Sequence, residues 1–80
     1  MLSFVYMAMC SDNTIYTGYT NNIERRIKTH NNGLGAKYTK SRLPVRLIYT
    51  ESFNSKSEAL TREYQIKQLS RLEKLNLIKR

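Results

Sequence analysis

Acidic residues, cysteine and histidine are scarce in this 80-residue chain. Cys10 is the single cysteine, so no disulfide framework exists; with His30 the single histidine, no zinc-finger ligand set can be assembled either. Cys10 closes a strand pattern and reads as a small buried hydrophobe. No glycine-rich loop precedes a Lys-Ser or Lys-Thr pair, which excludes a P-loop nucleotide triphosphatase. The first apolar stretch has no basic flank and breaks at Ser11-Asp12-Asn13, so neither a signal peptide nor a membrane span is expected, and cytoplasmic residence is the default. Six Asp and Glu against 14 Lys and Arg leave a formal net charge of +8. Such a surplus in a short chain fits a polyanionic partner, nucleic acid before an anionic membrane surface. The plainer alternative is a protein that is merely basic. A hydrophobic fraction of 40% and an aromatic fraction of 10% are those of a globular chain, and the length suits one domain, residues 1–80, with a modest core.

What is present has a readable order. Ser3 to Cys10 is almost wholly apolar or aromatic, Ser11-Asp12-Asn13 is turn chemistry, and Thr14 to Tyr19 is β-branched and aromatic. Together they predict a β-hairpin that brings Tyr6 and Tyr16 onto adjacent strands. Two aromatics there could simply fill a core. Asn21 offers a cap and Glu24 its return bond, opening a helix from about Asn22 to Asn31 that stops at Asn32-Gly33. Ile23 and Ile27 share one face of it, with Arg26 and His30, also four apart, bordering that stripe.

Gly33 to Pro44 reads as a loop carrying Lys37, Tyr38, Lys40 and Arg42, with Arg46 just beyond. Cations interleaved with an aromatic suit phosphate contact and base stacking, although a solvated basic loop would look the same. Val45 to Thr50 predicts a third strand. Ser55-Lys56-Ser57-Glu58 and Ser70-Arg71-Leu72-Glu73 are capping boxes; they place helices from Lys56 to about Leu69 and through Leu72, Leu75 and Ile78. The predicted fold is α+β, a small three-stranded antiparallel sheet flanked by helices in the order β-β-α-β-α-α.

Glu63 stands apart from the other acids. Ala59, Leu60 and Ile66 surround it at helical spacing, so it needs a cation, Arg26 or a neighbouring lysine, or a metal. Glu24, Glu58 and Glu73 read as cap partners, while Asp12 and Glu51 are weaker candidates. Tyr6, Tyr16, Arg26, His30 and Glu63 make a set that phosphodiester cleavage can use: a carboxylate for a divalent metal, a guanidinium for phosphoryl charge, and a phenol or imidazole for proton transfer.

On these residues the chain resembles the GIY-YIG nuclease superfamily, in particular its small stand-alone bacterial members that consist of this domain alone. Phe4-Val5-Tyr6 and Tyr16-Thr17-Gly18 stand where the two name-giving tripeptides would be. The Ile23–His30 helix looks like the one bearing the catalytic arginine, at Arg26 rather than Arg25. The segment from Ala59 to Lys67 looks like the one bearing the metal-binding glutamate, at Glu63. The likeness runs from about Ser3 to Ile78. It implies a hydrolytic endonuclease dependent on Mg²⁺ or Mn²⁺, acting on DNA in repair or recombination. In that picture Tyr6 or Tyr16 helps to activate water, Arg26 holds the scissile phosphate, and His30 shares proton transfer or orientation. Phe4, Val5 and Thr17 depart from the pattern, but both tyrosines and Gly18 are kept. With this module alone, substrate choice falls to the Gly33–Arg46 loop and the basic helix faces. The rival readings are a non-catalytic nucleic-acid-binding module of the same fold and a small adaptor for an acidic protein.

Overall fold

A computed structural model describes residues 2–79. Strands β1 (Ser3–Met9), β2 (Ile15–Thr20) and β3 (Arg46–Phe53) form one antiparallel sheet in the order β2-β1-β3. It is flanked by helices α1 (Ile23–Asn31), α2 (Lys37–Lys40), α3 (Lys56–Lys67) and α4 (Arg71–Ile78). The α+β class and the three-stranded sheet are those the chain's patterning predicts. Among the described residues, no helix is long and apolar enough to cross a membrane.

The central strand accounts for the layering. Val5 and Met7 pack with Ala59 and Ile66 of α3, whereas Tyr6, Ala8 and Cys10 pack with Val45 and, at the margin, with Ile23 and Ile27 of α1. Alternate residues of β1 thus serve two cores on opposite faces, which is why its sequence reads as a continuous apolar run. Opposite Ala8 stands Tyr16, and opposite Tyr6 stands Gly18. The two tyrosines therefore share the α1 face of the sheet, one diagonal step apart.

Several local expectations change. Inside the Gly33–Pro44 segment Lys37–Lys40 forms the one-turn helix α2, where a plain loop is predicted. The cap of α1 is Asn22, not Asn21; its side chain accepts from the Arg25 N–H, so Glu24 completes no capping box. Gly33 does terminate α1 as expected, at φ 78°. The third strand starts at Arg46, because both backbone groups of Val45 are taken by the Asn31 side chain, at 2.7 and 3.0 Å. It runs on to Phe53, which pairs with Ser3 at the start of β1. Ser55 caps α3 through the Glu58 N–H but donates its hydroxyl to the Glu58 carboxylate, leaving half a capping box. Ser70 and Glu73 form the complete one.

Two substitutions probe this packing. Ile66→Ala, in a side chain with no exposed surface, should cost about 2–5 kcal/mol in urea unfolding. Gly18→Ala should cost about 1–3 kcal/mol, because a Cβ there would lie 2.5 Å from the Tyr6 hydroxyl oxygen.

Candidate active site

Tyr6 and His30 are both fully buried, and each carries a polar group that must find a partner there. The Tyr6 hydroxyl lies 2.8 Å from His30 Nε2, and His30 Nδ1 lies 2.8 Å from Thr39 Oγ1. Thr39 spends its one hydroxyl hydrogen on the Ala36 carbonyl, at 3.0 Å, so toward the imidazole it can only accept. His30 therefore carries its proton on Nδ1, and Nε2 accepts from the Tyr6 hydroxyl. A directed chain results, from the Tyr6 O–H through His30 and Thr39 to a backbone carbonyl. Burial pushes the phenol above its ordinary value of 10.0, against a smaller pull from Arg26. Burial, and then the charge of Arg26, holds the imidazole below its ordinary 6.5. Both groups are neutral at pH 7.

Arg26, half-buried one turn before His30, donates from Nε to the Tyr6 oxygen at 3.3 Å. That is longer than a good N–H···O bond. The guanidinium also lies close enough to Tyr16 for that side chain to help hold it charged. Tyr16 stands at the mouth, its ring 6.2 Å from Tyr6 and 5.2 Å from His30. Tyr38 of α2 stacks on Tyr16 at 6.1 Å, and the Arg42 guanidinium lies 4.0 Å from the Tyr38 ring centre.

Glu63 arrives from α3, on the other side of the sheet. Its side chain is 17% exposed and pairs with Lys67 at 3.2 Å. The neighbouring-lysine partner is thus the one the structure supplies, an i,i+4 pair of about 0.5 kcal/mol at most. Leu60 is 41% exposed, so the stripe around Glu63 is less apolar than its spacing suggests. The carboxylate is still near enough that its charge adds to the upward shift of the Tyr6 phenol. Asp12 and Glu51 are committed elsewhere, to Arg42 and to Arg62 with Tyr49.

Among the described residues no three His, Cys, Asp or Glu side chains converge. A zinc centre with three protein ligands does not fit such a donor set. A hard divalent ion that keeps several waters and takes one carboxylate plus substrate phosphate does fit it, with Glu63 as the ligand.

The structure thus brings Tyr6, Tyr16, Arg26 and His30 into one cluster, with Glu63 within electrostatic reach. Of the residues assigned to nucleic acid, Lys37, Lys40 and Arg46 are exposed. Arg42 is held by Asp12 and the Tyr38 carbonyl, and Tyr38 already packs against Tyr16 and Arg42. Thr39 and Gly35 have no signal in the sequence. Thr39 fixes the tautomer, and a Cβ on Gly35 would stand 2.2 Å from His30 Nδ1.

The family model described as the GIY-YIG catalytic domain matches residues 2–76. A UPF0213 protein of Staphylococcus haemolyticus is 61% identical over 75 residues, 94% of this chain and 92% of that protein. A UPF0213 protein of the archaeon Halobacterium salinarum is 63% identical over 70 residues, 88% of this chain and 91% of that one. The solution NMR structure of a UPF0213 protein from Bacillus halodurans, 49% identical, superposes with a TM-score of 0.64 over 99% of this chain and 84% of the other.

Because His30 is the only histidine, its titration is directly readable. By NMR the imidazole should titrate below 6.5, with the neutral ring protonated on Nδ1. Between that lower value and 6.5 the unfolded chain binds more protons than the folded one. Stability from this group is therefore full above about pH 6.5 and falls as pH drops through that window. Urea unfolding from pH 8 to 5.5 should show the slope, and His30→Gln should flatten it.

Proposed function

This chain belongs to the GIY-YIG family of nuclease domains, and on that premise we propose that it is an endonuclease hydrolysing phosphodiester bonds in DNA, with Mg²⁺ or Mn²⁺ held through Glu63. Nucleases of this family generally use divalent metal ions. The observation that carries the reading is the directed chain Tyr6–His30–Thr39 with Arg26 laid across its outer end. A packing core has no use for a polar relay that ends on a half-exposed guanidinium.

The relay explains how water is activated. Arg26 offers its terminal nitrogens to the scissile phosphate as a bidentate donor. Drawn toward the phosphate, its long bond to Tyr6 loosens and the phenol oxygen becomes open to water. Burial still holds His30 low, but the bound phosphodiester offsets the Arg26 charge that adds to it, so Nε2 gains basicity when substrate is present. Tyr6 then passes its proton to Nε2 as it takes one from the attacking water. Water oxygen bonds to phosphorus as the bond to one ester oxygen breaks, and that oxygen departs with the bonding electron pair and takes a proton from solvent. Thr39 keeps Nε2 facing Tyr6 throughout. Glu63 would hold the divalent ion, which would supply charge stabilisation to the reacting phosphate. Tyr16, at the mouth and outside the relay, positions substrate. This chemistry asks nothing of Phe4 or Val5 beyond their backbone, so the departure from the family tripeptide leaves it intact.

An assay with single-stranded, duplex and branched DNA plus Mg²⁺ or Mn²⁺ tests the proposal. Arg26→Ala and Glu63→Ala should each lower the cleavage rate about 10²–10³-fold, and Tyr6→Phe about 10²-fold or more. Tyr16→Phe should do less. Cleavage unchanged by Glu63→Ala or Arg26→Ala would sink the assignment. Binding without product under every metal would favour the non-catalytic module.

A further inference from the structure

β2 is an edge strand, and a trough follows its open side between α2 and the junction of α3 with α4. One cleft of about 250 Å³ is lined by Tyr16, Thr17, Tyr38, Lys67 and Lys74. A second of about 200 Å³ is lined by Thr14, Tyr38, Arg71 and Lys74. Ile15, Tyr38 and Lys74 line both, so they are continuous, and the first opens at Tyr16 beside the catalytic cluster. None of the three cations comes from the Gly33–Arg46 segment to which sequence patterning assigns nucleic-acid contact.

We infer that this trough holds the sugar-phosphate backbone of the substrate strand on one side of the scissile bond. Lys74 and Arg71 are its phosphate ligands, and Lys67 stands nearest the active centre. The inference rests on the nuclease reading and names where its substrate lies. Three positive side chains line one wall, yet only Lys67 has a carboxylate partner, Glu63. Lys74 is half-buried and without a carboxylate among the described residues. Arg71 spends one of its five donors on the Asn13 carbonyl and keeps the others. Like charges three residues apart on one helix repel, and a polyanion relieves that cost. Thr17 lines the same cleft, and its buried Oγ1 has no hydrogen-bond partner among the described residues. Tyr38, its ring packed against Tyr16 and Arg42, serves as a wall, not as a stacking platform. A polymer lying here presents its next phosphate to Arg26. That continuity favours a nucleic-acid strand over an acidic peptide.

Fluorescence anisotropy with labelled single-stranded and duplex oligonucleotides tests this in chelator, where no cleavage occurs, across a series of salt concentrations. Lys74→Ala should lower the slope of log affinity against log salt by about 0.7–0.9, and adding Arg71→Ala should roughly double that loss. At fixed salt the pair should bind on the order of tenfold more weakly. Lys28→Ala, on α1 and outside the trough, is the control for lost net charge and should change far less. Arg71→Lys, with a melting curve for each variant, separates lost charge from the lost Asn13 bond. Equal effects of Lys74→Ala and Lys28→Ala would overturn the trough while leaving the nuclease reading intact. So would loss of poly-glutamate binding with nucleic-acid binding unchanged. Wild-type protein that neither binds nor cleaves any nucleic acid would overturn the nuclease reading first.

Discussion

Burying a phenol and an imidazole together without leaving either unpaired is the constraint from which most of this structure follows. A buried polar atom costs about 1–3 kcal/mol if unmet, so the chain must bring partners to these two side chains. Tyr6 comes from the central strand, His30 from the last turn of α1, and Thr39 from α2. Three elements that share few apolar contacts are thereby pinned at one point. Two glycines make the room: Gly18 lets the Tyr6 ring lie over β2, and Gly35 lets the chain pass against the imidazole. The tripeptide Tyr16-Thr17-Gly18 thus has a packing reason for its glycine.

The same constraint sets the electrostatics. A neutral, buried Tyr–His pair beside an arginine is a stable resting arrangement, since burial opposes a charge on either group and Arg26 opposes one on His30. On the nuclease reading, an anion meeting Arg26 would lift the smaller of the two penalties on a charged His30 and so tie its basicity to the presence of substrate. Around this neutral centre the protein surface is strongly positive. Acids are few, and most are committed to pairs or caps, with Asp12 on Arg42, Glu51 on Arg62 and Glu73 on the Ser70 cap. Glu63 is the acid whose partner, a half-exposed lysine, is most easily exchanged for another cation.

Much of this was legible along the chain, for reasons that differ by element. The hairpin, the helix starting near Ile23, the third strand and both C-terminal helices announce themselves through alternation, caps and turn residues, which act over a few residues. Tyr6, Tyr16, Arg26, His30 and Glu63 were legible because they are polar or aromatic at positions where spacing demands burial. What escaped acts at longer range. The cap slipped from Asn21 to Asn22, because two asparagines in a row are locally equivalent. Val45 left the strand because a side chain fourteen residues earlier in the chain claimed its backbone.

Local chemistry, then, sufficed for the α+β architecture, for the cationic character and for the residue types of the candidate site. The tertiary fold alone decided the rest. Thr39 chooses the tautomer of His30, which makes Tyr6 the donor and Nε2 the acceptor. Packing separates the two tyrosines, one sealed inside the relay and one at its mouth, though they look alike in the sequence. Arg42 is drawn inward to Asp12 and Tyr38, while Lys67, Arg71 and Lys74 converge on the edge of β2 from two helices. Hydrogen-bond direction, burial and charge clustering are properties of groups brought together from distant parts of the chain, and no spacing along it encodes them.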